Sequence, residues 1–441
     1  MDPSDLASYW LPFTSNRYFK RFPKLVVSAR GAYYRTEDGR ELFDTLSGMW
    51  CCPLGHAHPK IVEAFTHQAQ TLDYSPAFQI GNPLTFRLAE RIAGMAPAGL
   101  ERVFFTNSGS EAVDTALKIA LAYHRARGAA QRFRMIGRER AYHGVGFGGM
   151  SVGGMPANRK AFAAAMLPGV DHLPHTWNLS QMAFSRGQPN WGAHLADELE
   201  RLVALHDAST IAAVIVEPVQ GSTGVLVPPA GYLQRLREIC TRHGILLIFD
   251  EVITAFGRLG DSFAAQRFGV VQDMITFAKG VTNGSIPMGG VIVNQDIYAA
   301  FMQAEAPEHA AELFHGYTYS GHPIAAAVAL ACLDIYRQEG MFERARALEP
   351  LLEDAVHALR DEPGVIDVRN FGLTAAVELE SFPGQSGRRG FKVFEHGFAH
   401  EQLFRVVGDT VAMGPPFIST AQQIERMVEQ LRTAIRSVLP G

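Results

Sequence analysis

From about residue 102 the chain repeats one pattern: a short β-branched or aromatic run, a polar or glycine-containing break, then a segment with helical spacing. Strands that alternate with helices need crossover connections, and crossovers place helices on both faces of a mostly parallel sheet. The expected fold class is therefore α/β. Strands are expected at 102–106, 134–137, 212–216, 245–249, 274–277 and 290–293. A helix is expected over 111–127, where Ala112, Ala116, Leu117, Ile119, Ala120 and Tyr123 form one apolar stripe. Another, over 232–243, stops at Gly244, a residue suited to the left-handed end of a helix.

Other stretches depart from that pattern. The segment 144–190 is rich in Gly, Met, Pro and His without sustained periodicity, and reads as a long irregular insertion of the functional or interface kind. Residues 1–46 carry a strand-like pair at 25–28 and 32–35 and a turn at Asp38-Gly39. From 345 onward helices mix with short strands. The two ends are expected to combine into a smaller α+β domain, dividing the chain into 1–46, the N-terminal segment of that small domain; 47–315, the large domain; and 316–441, the C-terminal part of the small domain.

Composition removes several classes of function. With 47% apolar and 19% charged residues, the chain is excluded from disorder over most of its length. Forty basic against 44 acidic side chains leave a net charge of -4, so no whole-molecule field draws nucleic acid or an anionic membrane. Six arginines between Arg125 and Arg140 flank a helix end and an apolar strand, and read as a solvated face rather than a phosphate-binding stripe. The longest apolar run, 323–333, ends at Asp334, well short of the roughly twenty residues that cross a bilayer. The acidic start Met1-Asp2-Pro3-Ser4-Asp5 does not read as a signal peptide. Four cysteines without a Cys-x-x-Cys pair suit a reducing compartment. A soluble, cytoplasmic protein with no nucleic-acid or membrane partner is expected.

Chemically capable residues sit just after the expected strands, at the sheet edge where open α/β folds bind ligands. Glu217 follows 212–216, Asp250-Glu251 follows 245–249, and Lys279 follows 274–278. A desolvated lysine has a lowered pKa and becomes a nucleophile toward carbonyls. Asn107-Ser108-Gly109-Ser110-Glu111 joins a strand to a helix, which suits a phosphate, although Ser108 or Ser110 with Glu111 is also an ordinary helix cap. A phosphate anchor, a carboxylate and a nucleophilic lysine together are what pyridoxal phosphate requires. His56, His58, His172 and His175 have no acidic or cysteine cluster beside them in the sequence, so no metal site is expected.

The run Phe249-Asp250-Glu251-Val252-Ile253-Thr254-Ala255-Phe256-Gly257-Arg258, followed by Asp273 to Lys279 and Asn283-Gly284, resembles the signature of class III aminotransferases. Leu46-Ser47-Gly48-Met49-Trp50, Asp171-His172-Leu173-Pro174-His175-Thr176 and Val281-Thr282-Asn283-Gly284 look like the β-alanine:pyruvate, or ω-amino acid:pyruvate, branch of that family. The match runs in order from about residue 10 to 430. It implies a fold-type I transferase dependent on pyridoxal 5'-phosphate. Lys279 would then hold the cofactor and shuttle a proton, and Asp250 would pair with its ring nitrogen. Val252 and Tyr142 would pack on the ring's two faces. Gly109 and Ser110 would bind the phosphate. Thr318 would reach the phosphate of a neighbouring subunit, which implies a homodimer with shared sites and leaves a tetramer open.

On the substrate side, the resemblance implies that Trp50, Phe78 and Tyr142 shape a tunnel. Arg405 would clamp the pyruvate carboxylate and pair with Glu217 when the substrate brings no carboxylate there. The implied reaction moves an amino group from β-alanine or another ω-amino acid or amine to pyruvate, giving L-alanine and a semialdehyde or ketone. An aminomutase or decarboxylase of the same fold is the alternative, followed by a phosphate-binding α/β protein without catalysis. Ala255 stands where the family usually has glycine, so an altered turn or pocket floor is expected there.

Overall fold

The computed structural model describes residues 6–305 and 307–438, so the start Met1 to Asp5 lies outside the described residues. A seven-stranded sheet forms its centre. Its strands are β4 (Leu100–Thr106), β5 (Arg134–Arg138), β6 (Val170–Leu173), β7 (Ile211–Val216), β8 (Leu246–Asp250), β9 (Met274–Phe277) and β10 (Gly289–Asn294), in the order β4-β10-β9-β8-β7-β5-β6. From β6 to β9 the pairing is parallel, and β10 runs antiparallel to both its neighbours.

Every residue of β7, β8 and β9 is buried, as strands covered on both faces require. Their side chains alternate between two cores. Ala213, Ile215, Leu246, Ile248 and Met274 face the Gly109–Ala126 helix through Ala112, Ala116, Ile119 and Ala120. Val214, Val216, Leu247, Phe249, Ile275 and Phe277 belong to the other core, with Leu233, Leu236 and Ile239 of the Tyr232–His243 helix. That helix has the expected bounds, and Gly244 ends it at φ 61°.

The insertion 144–190 is less irregular than its sequence suggests. It supplies the edge strand β6, parallel to β5, together with short helices at Phe147–Val152, Pro156–Lys160 and Leu179–Met182. The six arginines are likewise not a simple solvated face. Arg138 is buried and donates to the Glu217 carbonyl at 2.7 Å, Arg134 pairs with Asp171 at 2.8 Å, and Arg132 donates to the Ile211 carbonyl at 2.9 Å. Two of these guanidinium groups satisfy backbone carbonyls and one a strand carboxylate, roles that position in the sequence does not reveal.

Two smaller sheets lie outside the centre. In the first, β1 (Val26–Arg30), β2 (Tyr33–Thr36) and β3 (Glu41–Asp44) are antiparallel, and the turn at Asp38-Gly39 joins β2 to β3. The late strand β13 (Gln402–Leu403) adds to β3 in parallel, tying the two ends of the chain together. The second contains β11 (Val365–Asn370), β12 (Ala375–Leu379), β14 (Arg405–Val407) and β15 (Thr410–Met413). The Pro323–Gln338 helix packs against the Pro59–Thr71 helix.

Candidate active site

The carboxyl ends of β7, β8 and β9 open into one cavity lined by Gly109, Ser110, Tyr142, Glu217, Asp250, Val252 and Lys279. Parallel register brings both to one end of the sheet: Asp250 pairs with Thr276, and Lys279 follows three residues later, just beyond the end of the adjacent strand. His143, Gly144, Ser222, Ile253 and Ala278 complete the lining. Sequence reading assigned none of these five a role, although His143 and Gly144 stand next to Tyr142.

Lys279 has φ 47°, a left-handed conformation that costs a non-glycine residue about 1–3 kcal/mol. It makes no hydrogen bond or ion pair among the described residues. Burial lowers its pKa from the ordinary 10.5, while the charges of Cys51, Asp250 and Glu217 oppose that shift. The amine is thus poised to lose its proton more readily than a surface lysine.

Asp250 is 5% exposed and held from three sides. Oδ2 accepts from His143 Nδ1 at 2.7 Å, and Oδ1 accepts from the Thr276 hydroxyl at 3.0 Å and the Val252 N–H at 3.1 Å. An ionised carboxylate has about four acceptor positions. Three are filled, which leaves one for a protonated ring nitrogen.

The 107–111 loop serves as both cap and anion cradle. Ser108 Oγ accepts the Glu111 N–H at 3.1 Å, and the Glu111 carboxylate accepts the Asn107 N–H at 2.7 Å. The Gly109 and Ser110 N–H groups have no acceptor among the described residues. They lie at the positive end of the long Gly109–Ala126 helix, an arrangement that suits a phosphate. Glycine is required around it: a Cβ at Gly109 would sit 2.8 Å from Val252 Cγ1, and one at Gly144, where φ is 88°, 2.6 Å from Ser110 Cα. These residues fit pyridoxal phosphate at both its phosphate and its ring nitrogen.

Glu217 is buried and accepts the Tyr142 N–H at 2.9 Å. Burial raises its pKa from 4.5 to about 7, against the opposing charge of His143. Between those two values the folded chain keeps a proton that the unfolded chain releases. The contribution of Glu217 to stability therefore falls as pH rises through that window. Glu217→Gln, which keeps the acceptor for Tyr142, should stabilise the cofactor-free protein by up to about 3 kcal/mol at pH 8 and by less at pH 5. Denaturant unfolding at the two pH values measures this, and a gain independent of pH would contradict it.

Trp50, Phe78, Thr318 and Arg405 do not line the cavity. Trp50 is buried under the Arg258 guanidinium, 5.7 Å from its ring centre. Asn283 holds the loop that follows Trp50, accepting from the Leu54 N–H at 2.9 Å and donating to the Gly55 carbonyl at 2.7 Å. Phe78 is exposed near Gly316, and the exposed Thr318 accepts the Tyr74 hydroxyl at its carbonyl. Arg405 opens β14, exposed and without an ion pair among the described residues, and its charge acts on the Tyr142 phenol. No ion pair joins it to Glu217. The expectation of an altered turn at Ala255 needs correction: Ala255 does not adopt positive φ, which falls on Phe256 and Gly257 instead, so alanine fits that turn without strain. His56 bonds Asp44 and His172 bonds the Gly153 carbonyl, each at 2.9 Å.

Known proteins similar to this chain are numerous, and many match it along nearly its whole length. The family described as aminotransferase class III matches residues 14–435. An ω-aminotransferase of Caulobacter vibrioides is 57% identical over 436 residues, covering 99% of this chain and 98% of its own. The β-alanine–pyruvate aminotransferase of Pseudomonas aeruginosa is 48% identical over 439 residues, covering 98% and 96%. A solved amine transaminase from an uncultivated Pseudomonas species, with pyridoxal phosphate bound, superposes with a TM-score of 0.90 at 36% identity and covers 98% of this chain and 99% of its own. The chain belongs to the class III aminotransferase family.

Proposed function

We propose that the protein transfers the amino group of β-alanine, or of another ω-amino acid or amine, to pyruvate, giving L-alanine and a semialdehyde or ketone. The observation that carries this reading is the meeting of a partner-free lysine, a carboxylate with one open acceptor position and two free helix-end N–H groups in one cavity. The substrate pair is supported by the names of the relatives at 57% and 48% identity.

Enzymes of this family depend on pyridoxal phosphate, whose ring, when bound, stabilises the charge left as the carbon beside nitrogen loses its proton. The chain's own residues do the rest. Gly109 and Ser110 hold the phosphate through their N–H groups, and Asp250 keeps the ring nitrogen protonated. Val252 and Tyr142 fix the ring plane. Lys279 Nζ would anchor the cofactor and, once displaced by the amine, would take the proton from the substrate carbon that bears nitrogen in one half-reaction and deliver a proton to the matching carbon of the acceptor in the other. Trp50 and Phe78, which lie outside this chain's own cavity, would bound the tunnel that leads to it, and Arg405, without an ion pair among the described residues, would swing in to receive the pyruvate carboxylate. Glu217, whose carboxyl changes charge near pH 7, would pair with Arg405 when the substrate brings no carboxylate.

Arg405→Ala should lower kcat/KM for pyruvate about 100-fold while changing that for an uncharged amine donor less than about threefold, since a buried carboxylate–guanidinium contact is worth roughly 3 kcal/mol. A donor-by-acceptor activity panel on both proteins measures this. Equal losses would overturn the role of Arg405. Turnover without any keto acid would overturn transamination itself in favour of an aminomutase or decarboxylase.

We also propose a cytoplasmic homodimer, with 47–315 as the large domain and 1–46 together with 316–441 as the small one. Cysteine usage supports the compartment, and the β3–β13 pairing supports the joined ends. Support for the dimer comes from Thr318, which lies outside its own chain's cavity, and from an apolar face beside edge strand β4 that carries Phe86, Tyr298, Met302 and a 99%-exposed Phe314. In this reading a second copy docks there and Thr318 serves the partner's phosphate site. Mixing inactive Lys279→Ala chains with a weakened Thr318→Val variant should then restore activity, because one site of each mixed dimer is intact. Activity no greater than the sum of the separate proteins would refute the shared site.

A further inference from the structure

At the opposite edge of the central sheet from Lys279 lies a second cleft, of about 710 Å³, bordered by the amino ends of β8 and β9 and the carboxyl ends of the Gly109–Ala126 and Tyr232–His243 helices. Gln272 lines it, is only 2% exposed, and has no partner among the described residues for either its amide oxygen or its amide nitrogen. A buried amide left unpaired costs about 1–3 kcal/mol, so its retention calls for a partner that the chain itself does not supply.

Charge in the cleft points the same way. Arg127, Arg132 and Arg237 line it, and among the described residues only Arg237 is paired with a carboxylate, Asp273 at 2.7 Å. Arg127 donates to the Tyr123 hydroxyl, and Arg132 to the carbonyls of Ile211 and His243. Burial lowers the Arg132 pKa, with Asp207 opposing and Arg127 reinforcing the shift. The two helix ends each contribute roughly half a negative charge. Set with Asp273 against three guanidinium groups, they leave about one net positive charge on the lining.

A bare anion would leave most of this space empty, because cavities of roughly 300–1,000 Å³ accommodate whole organic ligands. We propose that the cleft binds a phosphomonoester with a planar, hydrogen-bonding body, the chemistry of a nucleoside monophosphate. Its phosphate meets Arg127 and Arg132, and an amide-like edge pairs with the free donor and acceptor of Gln272. Strands β8 and β9 run from this cleft to Asp250 and toward Lys279, so the two sites are separate ends of the same rigid elements.

Calorimetric titration of the holoenzyme, whose own phosphate loop is filled, tests the proposal with adenosine monophosphate and inorganic phosphate as probes. One equivalent of adenosine monophosphate per chain should bind without displacement by pyruvate or β-alanine, and inorganic phosphate at least about tenfold more weakly. Arg127→Ala should weaken both about tenfold and leave basal transamination unchanged. Gln272→Met should weaken adenosine monophosphate alone, while the ligand-free variant unfolds at or above the native temperature because a buried unpaired amide has been removed. No saturable heat at millimolar nucleotide, displacement by pyruvate, or binding indifferent to both variants would each overturn it.

Discussion

Lys279→Ala should lower the rate of amino transfer by about 10⁴-fold or more while leaving the fold intact. Two losses combine. Proton transfer by a positioned side chain is worth about 10²–10⁴-fold, and removing the amine also removes the nucleophile that anchors the cofactor. No other described side chain replaces it: the remaining cavity-lining groups are carboxyls, hydroxyls, His143 and apolar side chains. Borohydride should fix the cofactor to the native chain and fail to fix it to the variant. The unfolding experiment separates chemistry from collapse. Because burial lowers the Lys279 pKa, the folded chain binds fewer protons than the unfolded one between that lowered value and 10.5. Stability from this group therefore rises with pH across that window, and its burial is most unfavourable below it. At pH 7 the cofactor-free variant should be at least as stable as the native protein. A variant that lost activity together with its cooperative unfolding transition would point to a scaffold role instead.

The parts of this fold visible in the sequence are those where one local signal suffices. Strands β7, β8 and β9 are continuous apolar runs because helices cover both their faces, and the Tyr232–His243 helix is bounded by its own spacing and by a left-handed glycine. Strand β6 was missed for the opposite reason. Val170-Asp171-His172-Leu173 lies at the sheet edge, is only partly buried, and satisfies polar side chains through distant partners: Asp171 through Arg134 and His172 through the Gly153 carbonyl. The antiparallel direction of β10 is a property of chain topology, and no residue in it announces that direction.

The site divides along the same line. Asp250, Glu217 and Lys279 were legible as residues at strand ends, since the strands deliver them. Gly144 was not, because what requires it is the backbone at Ser110, far away in the sequence. His143 stands next to Tyr142 in the sequence, yet its bond to Asp250 exists only once β5 and β8 are folded together. The six arginines from Arg125 to Arg140 show the converse: a charge cluster in sequence separates in space into carbonyl ligands, a strand ion pair and one wall of the far cleft.

Asp250→Asn should cost about 10³-fold in kcat, the second largest loss expected of a single substitution. Removing one preorganised electrostatic partner of a reaction's developing charge typically costs about 10²–10³-fold, and here the partner is a full charge in a water-poor site. Asparagine keeps the shape and the oxygen that accepts from Thr276 and Val252. Its amide nitrogen, however, meets His143 Nδ1, which must then give up its proton to the buried Nε2, an atom with no partner among the described residues. A neutral side chain at 250 also has no charge with which to keep the ring nitrogen protonated, so catalysis suffers far more than folding. Thr276→Val provides the comparison, since it removes one donor to Asp250 and retains the charge. It should cost about 0.5–1.5 kcal/mol of stability and less than about tenfold in kcat. Single-turnover rates and urea unfolding on both variants decide the matter. If the two variants lost rate equally, Asp250 would be acting through the hydrogen-bond network around it, and the charge assigned to it would have no part in the chemistry.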